Sequence, residues 1–123
     1  MPSNFMGELL GTMFLIILGD GVVANVVLAK TKGNGSGWIV ITTGWAMAVV
    51  IGVFIAISAG APEADINPAV TIGKWLILGV YSAGEAIMTM VAQLIGAFLG
   101  AVVVWLSYFN HWGATPDPGA KLA

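Results

Sequence analysis

The sequence predicts an all-α membrane protein with three transmembrane helices and one re-entrant half-helix. Of its 123 residues, 59% are hydrophobic and 8% are charged, whereas a soluble domain carries about 25% charged residues. Three apolar segments have roughly the 20 residues that an α-helix needs to cross the hydrocarbon core. A fourth apolar run, residues 68–80, follows a polar break and covers only about half that thickness at ~1.5 Å per residue.

The three full-length spans are predicted at about residues 5–29, 38–59 and 86–109. Trp38 opens the second span, and its amphipathic ring suits the headgroup region as an anchor. Two pairs of glycines, each with three residues between them, allow a neighbouring helix backbone to approach closely; they are Gly7 with Gly11 and Gly96 with Gly100. After the third span, residues 113–119 are predicted to be a polar loop, because a helix cannot continue through its prolines.

The polar break and the short apolar run after it, residues 60–80, are predicted to form a re-entrant loop and a half-helix. Irregular backbone at membrane depth is stable only where it is buried in protein or lines a watery cavity. This element is therefore predicted to line a pore or a substrate site.

Asn67 and Pro68 mark the predicted start of the half-helix. Proline suits the first helical position, and asparagine suits the N-cap, where its side-chain oxygen accepts a backbone N–H. The Asn67 amide NH2 is then a fixed donor, the helix dipole opposes cations, and residues 64–66 offer carbonyl acceptors. This arrangement indicates a path for a small neutral solute. The alternative is an ordinary Asn-Pro turn between helices.

Several function classes lack any supporting pattern. The charged residues are scattered without a basic patch, so no nucleic-acid binding is expected. The chain has no cysteine and one histidine, His111, so no metal site is expected. No nucleophile–base pair or phosphate-binding loop indicates an enzyme or a cofactor. Glu8 and Asp20 lie inside the first span, where a carboxylate must face protein or water.

Three motifs resemble the major intrinsic protein family, the aquaporins and glycerol facilitators. They are GELLGT at residues 7–12, INPAVT at residues 66–71 and QLIGAF at residues 93–98. Their order and spacing resemble the N-terminal half of the family, in which six helices and two half-helices form an inverted repeat. The resemblance implies the first repeat of the aquaporin fold, a homotetramer with one pore per subunit, and a plasma-membrane protein with a cytoplasmic N-terminus. The lysine distribution alone weakly favours the opposite orientation.

The resemblance also assigns roles to individual residues. Trp45 matches the tryptophan of members that pass glycerol, which implies passage of glycerol, other small neutral solutes and water. The alternative is that Trp45 packs against a neighbouring helix or lipid. Glu8 and Gln93 match residues that support the re-entrant loop. The residues expected to line the pore or bind solute are Trp45, Val49, Ala64, Asp65, Ile66, Asn67, Pro68 and Ala69.

The chain departs from the family pattern in two places. Asp65 stands where histidine is usual, after an apparent insertion of residues 62–64. The favoured interpretation is a solvated carboxylate in the cytoplasmic vestibule; the alternative is a group that attracts cations or sets a pH response. The C-terminal repeat is absent, with its second Asn-Pro-Ala and the arginine that follows it. A truncated sequence is the expected reason, and two copies inserted in opposite orientations are the alternative.

Three other functions remain open on the sequence. A water-selective aquaporin is disfavoured by Trp45. A small dual-topology transporter would use Asp20 or Glu8 as the coupling carboxylate. A structural membrane bundle without conduction is disfavoured by the half-helix.

Overall fold

The computed structural model describes residues 3–122 and confirms the all-α fold class, with three membrane-length helices and one short helix between the second and third. The helices are α1 (Asn4–Val27), α2 (Trp38–Ser58), α3 (Pro68–Gly73), α4 (Ala83–Ser107), α5 (Phe109–Ala114) and α6 (Pro118–Leu122). A single π-helical turn, Lys74–Leu78, continues α3. The half-helix therefore runs over Pro68–Leu78, about 16 Å at 1.5 Å per residue.

Local capping sets the helix ends. The Ser3 hydroxyl accepts the Met6 N–H at 3.1 Å and starts α1. Helix α4 begins three residues before its predicted start, because Ser82 and Glu85 form a reciprocal capping box. Gly79, with φ 64°, ends the half-helix in the left-handed conformation that favours glycine.

The chain after α4 differs from the prediction. Residues 113–119 were expected to be a loop that the prolines keep from being helical, yet α5 extends to Ala114 and Pro118 begins α6. Proline is tolerated at a first helical position, where its missing N–H is not needed. The expectation was wrong at Pro118, which it treated as a helix breaker, and right at Pro116, which lies in the non-helical residues 115–117.

Helix α1 lies between α2 and α4 and packs closely on both. A Cβ atom on Gly96 of α4 would lie 2.2 Å from the Leu9 carbonyl oxygen of α1, and one on Gly11 would lie 2.8 Å from the Gly52 carbonyl oxygen of α2. The predicted close approach at both glycine pairs is thus confirmed. Dispersion contacts between backbones replace the hydrophobic effect, which is weak between helices in lipid.

The end of the chain is tied to the start of the α1–α2 linker. The Thr115 hydroxyl accepts the Ala29 N–H at 2.9 Å and donates to the His111 carbonyl at 2.7 Å. The ring of His111 forms a hydrogen bond through Nδ1 with the Ala29 carbonyl at 2.9 Å. These bonds hold α5 against the linker, above a small core around Leu28.

Candidate functional site

The re-entrant loop, residues 59–67, enters the groove between α1 and α2. Ala61 is fully buried against Gly7, and the side chain of Ile66 packs between Gly11 and Gly52. Ala64 and Ile66 both have φ 42°, a backbone conformation that costs non-glycine residues about 1–3 kcal/mol. Such a conformation persists only where neighbouring contacts enforce it.

Glu8 supplies the main contacts that hold this loop. It is completely buried, and its two carboxylate oxygens accept the Asp65 N–H at 2.7 Å and the Ile66 N–H at 2.8 Å. Gln93 of α4 donates from Nε2 to the same carboxylate at 2.9 Å and to the Thr71 hydroxyl at 3.0 Å. One buried acid thus joins α1, α4 and the loop.

Asn67 has the N-cap geometry expected from the sequence. Its Oδ1 accepts the Ala69 N–H at 2.9 Å, and Pro68 occupies the first helical position. The residue is exposed, and within residues 3–122 this is the one hydrogen bond of its side chain. The Asn67 NH2 group is therefore oriented by the bond at Oδ1 and available to a solute.

Residues 64–66 lie directly before this donor. Within the described part of the chain, their carbonyl oxygens accept no backbone or side-chain hydrogen bond, although the neighbouring Glu63 carbonyl accepts one from Lys74 at 3.0 Å. Ala64 is half-buried and Asp65 and Ile66 are buried, while Ala69, one turn further on, is exposed. The loop thus has unused acceptors next to an unused donor.

Asp65 is not solvated, and that interpretation is wrong. Its side chain is fully buried. One carboxylate oxygen accepts the hydroxyls of Thr71 at 2.8 Å and Tyr81 at 2.9 Å, and the other lies 2.6 Å from Nζ of Lys74. The half-helix and the connector after it cover the Asp65 carboxylate and exclude water from it.

Lys74 joins two carboxylates at the edge of this cluster. Its ammonium group lies 2.8 Å from Glu63 and 2.6 Å from Asp65. Burial and the bond to Asp65 both raise the pKa of Tyr81, because each disfavours the charged phenolate. The Tyr81 hydroxyl therefore stays protonated at neutral pH and acts as a donor.

Trp45 and Val49 lie on α2, nearer to its N-terminal end than Gly52, which contacts the loop. The Trp45 ring covers Gly19 of α1, where a Cβ would lie 2.4 Å from it, and the ring is half-buried; Val49 is exposed. Gly52 of α2 contacts Ile66 of the loop. Trp45 lies seven residues before Gly52, about 10 Å away along the same face of the helix. The indole is thus separated from the level of the loop along the membrane normal.

Asp20 lies away from this site. It borders a cavity of about 170 Å³ between α1 and α4 whose lining includes Trp105 and Trp112. The sequence left open whether it faces protein or water, and the structure places it at a partly open pocket.

Sequence reasoning missed Lys74, Tyr81 and Thr71. A signal was present for Lys74, since a charged side chain inside a short apolar membrane helix is costly unless it has a partner. Two carboxylates precede it, and Asp65 is nine residues away. Tyr81 carried no such signal, because only the turn after the half-helix brings its hydroxyl back to Asp65.

Three membrane-length helices packed around a re-entrant loop and a capped half-helix define a multi-pass membrane protein with the first repeat of the aquaporin fold. Residues 2–119 match the family described as major intrinsic protein. The chain belongs to this family.

Named relatives are similar to this chain over nearly its whole length. The chain is 54% identical over 121 residues to a probable glycerol uptake facilitator protein of Thermotoga maritima, covering 98% of this chain and 50% of that protein. It is 49% identical over 123 residues to a glycerol uptake facilitator protein of Streptococcus pneumoniae, covering 100% and 51%. For the Bacillus subtilis glycerol uptake facilitator protein the identity is 43% over 120 residues, covering 98% and 43%. The chain spans about half the length of these relatives.

Proposed function

We propose that this chain is the N-terminal repeat of a passive channel for glycerol, other small neutral solutes and water. The observation that carries the proposal is the exposed Asn67 amide, held by its N-cap bond beside carbonyls that accept no other hydrogen bond. The similar proteins named above are called glycerol uptake facilitators, which agrees with this chemistry.

In the proposed mechanism a solute hydroxyl uses both kinds of partner. Its oxygen accepts from Nδ2 of Asn67, and its hydrogen is donated to a carbonyl of residues 64–66, so the lost hydration is replaced without a charged group. The N-terminal end of the half-helix disfavours cations and protons. Trp45 offers an apolar wall for the carbon backbone of a polyol, and Val49 lies one turn nearer the loop.

The assembly is part of the proposal. Apolar side chains are exposed along the outer faces of α2 and α4, which suits lipid and a second repeat that completes the pore wall. The proposed location is the plasma membrane, with the N-terminus and the 60–85 region on the cytoplasmic side and four subunits in the complex. The two glycine pairs are used within the repeat and do not specify that number.

The test is solute flux through the complete gene product in liposomes. Stopped-flow light scattering after a glycerol gradient is expected to give flux that is linear in the gradient, with a low activation energy. Asn67→Ala is expected to reduce it, whereas Asn110→Ala, which changes an exposed asparagine of α5, is the matched control.

Three results would contradict the proposal. Saturable, proton-dependent flux would indicate a transporter, flux of water without glycerol would indicate a water-selective aquaporin, and no flux above empty liposomes would indicate a structural bundle. Equal flux in the Asn67 and Asn110 variants would remove Asn67 from the path.

A further inference from the structure

We propose that Asp65, Lys74 and Glu63 form an ionic bridge that positions Asn67 in the pore. Asp65 is the buried centre of this bridge, and Lys74 links it to Glu63 at the surface. The inference rests on the proposed function, because it assigns a positioning role around the donor of that pore.

The bridge holds the loop through the side chain of Asp65, whereas Glu8 holds it through backbone N–H groups. Glu8 binds the backbone N–H groups of Asp65 and Ile66 and so fixes the loop to α1. The Asp65 side chain binds Thr71 in the half-helix and Lys74 at the start of the π-helical turn. Asn67 lies between these two attachments, so its orientation depends on both.

The backbone around Asp65 needs this support. The residues on both sides of it, Ala64 and Ile66, have φ 42°, which is unfavourable for residues other than glycine. Released from either attachment, this stretch would relax toward ordinary backbone angles and rotate the peptide that leads into Asn67.

The charges of the bridge are interdependent. Asp65 is fully buried, and a buried carboxylate without a cation is strongly destabilising. Lys74 provides that cation, and Glu63, which belongs to the 62–64 insertion, holds the ammonium group through both its carboxylate and its carbonyl oxygen. The insertion and the aspartate that follows it thus become parts of one ionic bridge.

The first measurement is hydrogen–deuterium exchange across residues 61–73 in the complete gene product in nanodiscs. Lys74→Met is expected to speed exchange by about tenfold, because it leaves the buried Asp65 carboxylate without its cation. The effect is smaller than for a fully buried ion pair, because Lys74 is partly exposed. Adding Asp65→Asn to Lys74→Met is expected to reverse part of that increase, because the unpaired charge is then gone while the link from the loop to Lys74 is still missing. Lys74→Arg keeps the cation and is expected to retain slow exchange.

Matched controls separate the bridge from a general loss of charge. Lys32→Met and Asp117→Asn change an exposed lysine and an exposed aspartate far from the loop along the chain, and both are expected to leave exchange at 61–73 unchanged. The bridge is overturned if Lys74→Met behaves as Lys32→Met does, or if adding Asp65→Asn makes exchange faster still.

Glycerol flux of the same variants tests the link to the pore. Flux is expected to fall in Lys74→Met, to recover only in part in the double variant, which still lacks the bridge, and to stay near the wild-type value in Lys74→Arg. If exchange follows the expected pattern while flux does not change, the bridge exists but does not position Asn67, and the inference fails. If the wild-type protein itself carries no glycerol, the proposed function fails, while the exchange pattern still decides whether the bridge exists.

Discussion

Glu8→Gln offers the most direct test of how the re-entrant loop is held. The carboxylate accepts three hydrogen bonds, from the Asp65 N–H, the Ile66 N–H and Nε2 of Gln93. A glutamine of the same size has one acceptor oxygen in place of two. If that oxygen takes the position that serves Ile66 and Gln93, the new NH2 group faces the Asp65 N–H, and two donors meet.

The magnitude follows from the bonds that change. An unpaired buried N–H costs about 1–3 kcal/mol, and a hydrogen bond to a neutral acceptor is weaker than one to a charged acceptor by about 1 kcal/mol. One donor is left unpaired and two bonds lose their charge, so Glu8→Gln is expected to destabilise folding by about 3–5 kcal/mol. Helices α1, α2 and α4 retain their own packing, so the loss should be concentrated at the loop.

The assay combines equilibrium unfolding in mixed micelles with amide exchange of Asp65 and Ile66. Glu85→Gln is the matched control, because Glu85 is exposed and forms the capping box with Ser82, a position where glutamine serves as well as glutamate. It should change stability by less than about 0.5 kcal/mol. A loss below about 1 kcal/mol for Glu8→Gln, with unchanged exchange at both amides, would refute the assignment of Glu8 as the acceptor for the loop.

Three further outcomes are expected. Gly96→Ala places a methyl group 2.2 Å from the Leu9 carbonyl and should destabilise by about 1–3 kcal/mol in micelle unfolding, whereas Gly84→Ala, in the same helix with open space around it, should not; equal behaviour would contradict the close α1–α4 contact. In an ultraviolet titration compared with Tyr81→Phe, Tyr81 should ionise above its ordinary pKa of 10.0. Its contribution to stability is therefore complete below pH 10 and is lost only as the pH passes the raised pKa. Ionisation at or below pH 10.0 would contradict burial of the hydroxyl against Asp65. Thr115→Val removes the acceptor of the Ala29 N–H and should lower the free energy of unfolding by about 1–3 kcal/mol; no change would show that this bond does not hold α5.

Much of the fold could be predicted because membrane helices depend on local properties. Length and apolarity identify a span, and the predicted 38–59 span differs by one residue from α2, Trp38–Ser58. The start of α4 was missed although Ser82 and Glu85 show a capping pattern in the sequence. Its end, Ser107, lies two residues before the predicted end at 109, because the break at Tyr108 depends on the packing of Tyr108 and Trp112 against the core around Leu28.

The sequence by itself determined the membrane class, the half-helix, the N-cap at Asn67 and the close approach at the glycine pairs, because each depends on neighbouring residues or on helical spacing. Only the tertiary structure decided that the Asp65 carboxylate is buried and which groups bind it. Its partners Thr71, Lys74 and Tyr81 lie six, nine and 16 residues further along the chain, and the fold of the half-helix over the loop brings them together. Burial removes water from the carboxylate, so protein donors and a cation must replace it, and no local pattern in the sequence contains that geometry.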